Sequence, residues 1–237
     1  MTNVTGPLIA AIVPAAGRGE RMGPGTPKAL RLLGGAPLLA HAVRALSRAR
    51  SVDLVVVAAP PDQVAAVRDL LADHHAGAAL KVVPGGATRQ ESVRRALATL
   101  PDSVVTVLVH DAARPLAPVE LVEAVAAAAQ AGADGVVPAM PVSDTVKRVE
   151  GNVVVETVDR QALRAVQTPQ GFSRAALEEA HLEASAVEAT DDAALVERLG
   201  RRVVVVPGAE EAFKVTRPLD LLLAEAVLAK RRADGVS

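Results

Sequence analysis

The sequence predicts an α/β domain built on a mostly parallel, twisted sheet with helices on both faces. Two observations predict it. Short β-branched runs alternate with helical patterns along most of the 237 residues, the order expected of parallel strands joined by crossover helices. The runs are also apolar almost throughout, as in strands covered on both faces. In order, Leu8–Val13, Asp53–Ala59, Leu80–Val83, Val104–Val109, Gly135–Pro138 and Val203–Val206 read as buried strands. Pro37–Ala49 sets Leu38, Leu39, Ala42, Val43 and Leu46 on one helical face, with Pro37 suited to a first turn. Asp62–Ala72, Arg89–Leu100, Pro118–Ala131 and Pro218–Lys230 read as further helices. One segment departs from the alternation: Thr145–Glu150 and Val153–Val158 flank Gly151-Asn152, a hairpin signal. A lone two-stranded hairpin is marginal in water, so this one is expected to lean on a second subunit.

Composition excludes several functions. Basic and acidic side chains number 26 and 27, a formal net charge of −1, without the cationic excess of a general nucleic-acid or anionic-membrane binder. A polyanionic ligand must therefore meet a local cluster of cations. Cysteine is absent, which removes disulfides, thiol nucleophiles and cysteine metal sites. Phe172 and Phe213 are the only aromatic residues, too few for a base-stacking platform. No apolar run reaches the roughly 18 residues that span a bilayer, and the first residues lack a basic signal-peptide start. The expectation is a soluble, cytoplasmic protein with no nucleic-acid or membrane partner.

In parallel sheets ligands bind beyond the carboxyl ends of the strands, so the loops there carry the argument. The first strand runs into Pro14-Ala15-Ala16-Gly17-Arg18-Gly19-Glu20-Arg21-Met22, then Gly23, Gly25 and Pro27-Lys28. Small residues let backbone N–H groups approach an anion, and Arg18, Arg21 and Lys28 add charge. The loop is either a triphosphate cradle or a plain glycine turn. It is not a Walker A loop, because no Gly-Lys-Ser/Thr follows the glycines, nor a dinucleotide fingerprint, because Met22 stands where the third glycine belongs and Ala58-Ala59-Pro60 replaces the ribose-binding acid.

Other loops are individually ambiguous. Gly85-Gly86-Ala87-Thr88-Arg89-Gln90-Glu91-Ser92 suits backbone recognition of a base edge or a simple helix entry. His110-Asp111-Ala112-Ala113-Arg114-Pro115 suits a metal-bridged phosphate, a substrate hydroxyl, or a turn capped by Asp111. His110 itself reads as structural, since the histidines show no metal-ligand spacing. Phe213-Lys214-Val215-Thr216 reads as the end of the last strand, a place where a lysine is solvated or meets a ligand. Thr190-Asp191-Asp192 reads as a helix N-cap with acidic first-turn residues.

Together these segments, with Asp144-Thr145-x-Lys147, Asp159-Arg160, Gln167-Thr168-Pro169-Gln170 and Arg217-Pro218, occur in the order found in one family. The chain resembles the 2-C-methyl-D-erythritol 4-phosphate cytidylyltransferases of non-mevalonate isoprenoid synthesis, over about residues 8 to 230. The resemblance implies a single Rossmann-like nucleotidyltransferase domain over residues 1–237, with a β-hairpin dimerisation arm at about 142–160. It implies CTP and a polyol phosphate as small-molecule substrates, Mg²⁺ or another divalent cation as cofactor, and a homodimer formed through the arm.

It also implies roles for residues. Arg21, Lys28, Arg160 and Lys214 would be catalytic, with Arg21 and Lys28 on the triphosphate. Pro14, Ala15, Ala16, Gly17, Gly19, Gly85, Gly86, Ser92, Asp111 and Ala112 would line the nucleotide site. Asp111, Arg114, Thr145, Arg160, Thr168 and Lys214 would hold the polyol phosphate, with Arg160 supplied by the other protomer. The metal would sit mainly on phosphates, with Asp111 as its candidate protein ligand. Ala29-Leu30 departs from the glutamine and aromatic residue common after the lysine, which concerns packing. A ribitol 5-phosphate cytidylyltransferase of the same build is the alternative, and a non-catalytic nucleotide-binding module would not need both Lys28 and Lys214.

The chemistry agrees with the residues present. A phosphate monoester is largely dianionic at neutral pH, so its attack on the α-phosphorus of CTP needs neither general base nor covalent nucleophile. It needs charge neutralisation and in-line positioning, which arginines, lysines and a divalent cation supply.

Overall fold

The computed structural model describes residues 7–17, 27–74, 77–184 and 189–235. Strand β1 (Leu8–Pro14) lies between β4 (Leu54–Ala59) and β6 (Val104–Val109), and β5 (Ala79–Pro84) closes one edge beyond β4. All of these pairings are parallel. A short ribbon, β2 (Leu32–Leu33) with β3 (Ala36–Pro37), precedes helix α1 (Leu38–Arg48). Helices α2 (Val64–Ala72), α3 (Arg89–Leu97) and α4 (Val119–Gln130) make the crossovers, and β7 (Gly135–Pro141) follows.

The faces follow from the pleat. Ile9, Ala11 and Val13 of β1 pack with Leu39, Val43, Val67, Leu71, Val122 and Val125 from α1, α2 and α4. Ala10 and Ile12 face the opposite way, toward Val93, Ala96 and Leu97 of α3. Every other residue of the central strand thus meets a different helical layer, which is why its sequence has no polar face.

Beyond β6 the sheet is mixed. The chain returns along β7 as two collinear antiparallel pieces, β10 (Arg164–Val166) and β11 (Gln170–Ser173), interrupted at Gln167-Thr168-Pro169. Strand β11 sits between β6 and β7, antiparallel to both. Helices α5 (Arg174–Glu183) and α6 (Asp192–Arg198) follow, with Leu177, Ala180, Leu195 and Val196 completing the second apolar layer. Strand β12 (Val203–Pro207) joins the outer side of β7 in parallel, and α7 (Pro218–Ala233) ends the described fold.

Three expectations need correction. Val203–Val206 lies in an edge strand with Val205 56% exposed, and Leu80–Val83 also lies at an edge, although Val82 and Val83 there are buried as expected. Their solvent sides lack neighbours, so hydrophobic runs alone misplace them. Phe213–Thr216 is irregular: the last strand stops at Pro207, and a 3₁₀ turn (Glu210–Ala212) intervenes. The pieces β10 and β11 and helix α5 carried too weak a periodicity to be anticipated.

The hairpin is as read, β8 (Val146–Glu150) and β9 (Val153–Val158), with Gly151 at φ +57 in the turn. It forms a separate two-stranded sheet. A bulge between Arg148 and Val149 puts Val149 opposite Val154, and Val149, Val153, Val154 and Val155 are exposed.

Gly171 tests the packing of the reversed strand. A Cβ there would lie 2.9 Å from Val125 Cγ1 and 3.2 Å from both Ala129 Cβ and Leu108 Cδ2. Gly171→Val therefore forces α4 away from β11 and is expected to destabilise by about 1–3 kcal/mol. Urea unfolding should show a lower midpoint with little change in slope; an unchanged midpoint would contradict this packing.

Candidate active site

The carboxyl ends of β1, β5 and β6 converge with the segment before α7 around one carboxylate. Asp111, the second residue past β6, is 12% exposed at its side chain. Its Oδ1 accepts from Arg89 Nε at 3.1 Å, and its Oδ2 lies 2.7 Å from Lys214 Nζ. Burial pushes the Asp111 pKa up, but Arg89, Lys214 and Arg114 together outweigh it and hold the carboxyl well below the usual range. Arg89 in turn donates from Nη1 to Asp192 Oδ2 at 2.6 Å. Asp192 is buried, and its Oδ1 lies 2.8 Å from His181 Nε2. Burial opposes ionisation of Asp192, and Arg89 and His181 overcome it, lowering its pKa. A charge chain thus runs from the strand edge into the space between α5 and α6.

Two cavities share this chain. One, of about 190 Å³, is lined by Pro14, Ala15, Ala16, Gly17, Lys28, Ser92 and Ala112, and also by Arg89, Asp111 and Lys214. The other, of about 180 Å³, has Arg114, Gln167 and Thr168 in its wall, with the same Arg89, Asp111 and Lys214. The structure therefore brings most residues expected at the nucleotide into one cavity and four of those expected at the polyol, Asp111, Arg114, Thr168 and Lys214, into the next; Gly85 and Gly86 line neither. Larger clefts exist, including one of about 340 Å³ beside α1 and α7, but none carries the glycine-rich loops, so volume does not select the site.

Local geometry explains the loop sequences. Gly85 N–H donates to Ala59 O at 2.7 Å, and a Cβ on Gly85 would fall 2.5 Å from Ala16 Cβ. Only glycine lets these two turns touch. Ser92 Oγ donates to Thr88 O at 2.9 Å and accepts from Gly86 N–H at 3.0 Å, shaping the entry to α3. Thr88 caps that helix, accepting from Glu91 N–H at 3.0 Å.

The break between β10 and β11 supplies Thr168. Its hydroxyl accepts from Asp111 N–H at 3.0 Å and lies 3.1 Å from His110 Nδ1, while His110 Nε2 lies 3.1 Å from Arg114 O. His110 is fully buried and burial lowers its pKa to about 4. It is therefore neutral near pH 7: Nε2–H donates to the carbonyl and Nδ1 accepts from the threonine. Arg114 donates to Ala212 O at 2.7 Å and to Val166 O at 3.1 Å, so its guanidinium bridges two loops; burial lowers its pKa.

Other expected residues lie elsewhere. Thr145 and Arg160 are exposed at the base of the hairpin and line neither cavity; Arg160 Nη1 donates to Ser143 O. Gly19 and Arg21 fall outside the described residues. Asp191 is the N-cap of α6, accepting from Ala194 N–H at 3.0 Å, as read from sequence. Its neighbour Asp192 is in the first turn, as expected, and is also the buried partner of Arg89. The sequence signal was faint: Arg89 and Asp192 lie far apart in the chain, and His181 looks like any helix residue.

Protein comparisons now bear on this geometry. A family model described as IspD, 2-C-methyl-D-erythritol 4-phosphate cytidylyltransferase, matches residues 9–230. A protein of that name from Streptomyces avermitilis is 59% identical over 96% of this chain and 94% of its own length. Another from Streptomyces coelicolor is 60% identical over 94% of this chain and 86% of its own. A crystal structure of the cytidylyltransferase from Thermus thermophilus superposes with a TM-score of 0.76 at 41% identity, covering 94% of this chain and 99% of that one.

His110 makes the site pH-sensitive. Its pKa is about 6.5 unfolded and about 4 folded, so its contribution is complete above pH 6.5 and is lost as pH falls toward 4. About 2 kcal/mol should disappear between pH 8 and pH 5. His41, whose pKa burial also lowers, adds in the same direction. Urea midpoints measured across this range should fall with acid, and His110→Gln should flatten the fall; an equal slope in the variant would contradict the assignment.

Proposed function

The chain belongs to the 2-C-methyl-D-erythritol 4-phosphate cytidylyltransferase family, and from that premise we propose how its residues divide the work. The enzyme transfers CMP from CTP to 2-C-methyl-D-erythritol 4-phosphate, giving 4-diphosphocytidyl-2-C-methyl-D-erythritol and pyrophosphate, in isoprenoid precursor synthesis. The observation that carries the division is the shared wall of the two cavities, Arg89, Asp111 and Lys214.

CTP occupies the first cavity. Its phosphates lie along Ala15, Ala16 and Gly17 with Lys28, and with Gly19 and Arg21 from the same loop. Its base rests against Ser92 and the Gly85-Gly86 turn, whose N–H and hydroxyl donors are bonded to Ala59, Ser92 and Thr88, so a rigid turn, in place of aromatic rings, shapes the base site. The polyol phosphate enters the second cavity beside Arg114, Thr168 and Lys214. Its dianionic oxygen attacks the α-phosphorus in line, and Lys28, Arg21 and Lys214 offset the charge that builds on the phosphoryl oxygens. No proton need be removed, which fits a neutral, fully bonded His110.

A divalent cation fits this donor set in one way. Among the described residues no group of three carboxylate or histidine side chains gathers to cage an ion, whereas Asp111 presents a single carboxylate beside the phosphate cavity. Mg²⁺ is commonly held by one or two carboxylates plus phosphate oxygens and water, so Asp111, which shares its oxygens with Arg89 and Lys214, would hold the ion through a remaining lone pair, with CTP supplying most of the ligands. Bound there, it supplies charge neutralisation at the phosphates.

The arm completes the site. We read the chain as one catalytic domain whose hairpin pairs with that of a second copy, covering its exposed valines. Thr145 and Arg160, which line neither cavity of their own chain, then serve the partner's polyol phosphate, the guanidinium gripping it bidentately. No helix among the described residues is long and apolar enough to cross a membrane; with a CTP requirement and no cysteine, we assign the enzyme to the cytoplasm.

Two experiments test this. Pyrophosphate release should be fastest with CTP and 2-C-methyl-D-erythritol 4-phosphate, weak with UTP or ribitol 5-phosphate, and abolished by excess EDTA. Equal rates with UTP, equal rates with ribitol 5-phosphate, or activity in EDTA would refute the nucleotide, polyol and metal assignments respectively. Arg160→Ala and Lys28→Ala homodimers should each be inactive, yet their co-refolded mixture should regain activity at one site per heterodimer. A dead mixture containing proven heterodimers would place Arg160 in its own chain's site or outside the mechanism.

A further inference from the structure

Lys214 stands on an irregular segment between β12 and α7, with no strand ladder to fix it. Side chains tether that segment instead. Gln167 exchanges hydrogen bonds with Ala209, at 2.8 Å from its Nε2 and 3.0 Å to its Oε1. Arg114 reaches Ala212 O, and Val215 N–H donates to Ala113 O at 2.8 Å. The remaining clasp comes from α7. Arg231 Nε donates to Glu211 Oε2 at 2.9 Å, its Nη2 reaches the same oxygen, and Nη2 also donates to Leu116 O at 2.7 Å. One guanidinium therefore grips the segment carrying Lys214 and the loop carrying Asp111.

The clasp has an apolar floor. Leu116 and Val215 pack with Ala224 of α7 and with Leu33 and Leu38, which follow Lys28 in the chain. Neither Arg231 nor Glu211 lines either site cavity, so neither is placed to touch substrate. Their side chains are 23% and 42% exposed, and an ion pair in that setting adds little to stability. What it adds is register between two loops whose functional groups meet 2.7 Å apart. We propose that Arg231 is a positioning residue: through Glu211 and Leu116 it holds Lys214 where the polyol phosphate and the reacting phosphoryl group need it. Lysine cannot replace it, because a single ammonium lacks the planar fork that spans both acceptors.

The inference rests on the role given to Lys214 above, and a double-mutant cycle separates the two. kcat/KM for 2-C-methyl-D-erythritol 4-phosphate is measured for the wild type, Arg231→Leu, Lys214→Ala and the double variant, with Tm and CTP affinity by calorimetry alongside. Arg231→Leu should lose about tenfold in kcat/KM, in keeping with small misplacements of a reacting group, while CTP affinity and Tm barely move. Arg231→Lys should not rescue it. On the Lys214→Ala background the same change should have almost no effect, because coupled residues fail to add. Glu211→Gln, which keeps the side chain's shape, should repeat the pattern should Arg231→Leu fold poorly. Additive losses, or normal kinetics in both Arg231→Leu and Glu211→Gln beside a crippled Lys214→Ala, overturn the inference and leave the role of Lys214 standing. Normal kinetics in Lys214→Ala overturn that role and the inference with it.

Discussion

The site depends on one carboxylate serving two cations. Asp111 sits at the carboxyl end of the central strand β6, where burial disfavours its charge, and it remains ionised because Arg89 and Lys214 occupy its two oxygens. The reverse also holds. A site for two phosphate-bearing substrates must gather cations before the anions arrive, and gathered cations repel one another. A fixed carboxylate among them resolves the conflict, and the donors need little reorganisation when the phosphates bind.

The rest of the architecture supplies those groups from distant parts of the chain. Lys28 precedes the β2–β3 ribbon, Asp111 follows β6, and Lys214 precedes α7. Their neighbours Leu33, Leu116 and Val215 share one small apolar cluster with α7, so packing on the far side sets the spacing of charges on the near side. The Arg89–Asp192–His181 chain does the same from beneath α5 and α6. Buried ion pairs of this kind repay little of their desolvation in stability; here the charge chain orients Arg89 toward Asp111.

Much of this was legible in the sequence, for physical reasons. Strands such as Val104–Val109 and Leu54–Ala59 are apolar on both faces because both faces are covered, and the strand–helix alternation allows few topologies. Gly85 was legible as a position that needs glycine, because a Cβ there would meet Ala16 of the neighbouring turn. What escaped were features set by partners remote in sequence. Gln170–Ser173 looks nondescript because its neighbours β6 and β7 hide it whatever its pattern. Edge position cannot be read from Val203–Val206, which is as apolar as a central strand. Asp192 reads as a helix-cap acid, since nothing near it in the chain announces Arg89, and the bonds of Arg114 to Ala212 and Val166 are made to loops the sequence does not place beside it.

The place of α7 in the chain has a consequence for biosynthesis. Chains emerge from the ribosome amino end first, at about 5–20 residues per second, and α7 follows every other element of the site. The sheet, the glycine loops and the Asp111–Arg89–Asp192 chain can assemble while Ala224 and Arg231 are still to be made. Until they arrive, the segment bearing Lys214 lacks both its apolar floor and its clasp. A nascent chain at that stage has the Lys28 side of the cradle, while Lys214 is not yet held in place. The polyol-phosphate half of the site is therefore the last to be fixed in the order of synthesis.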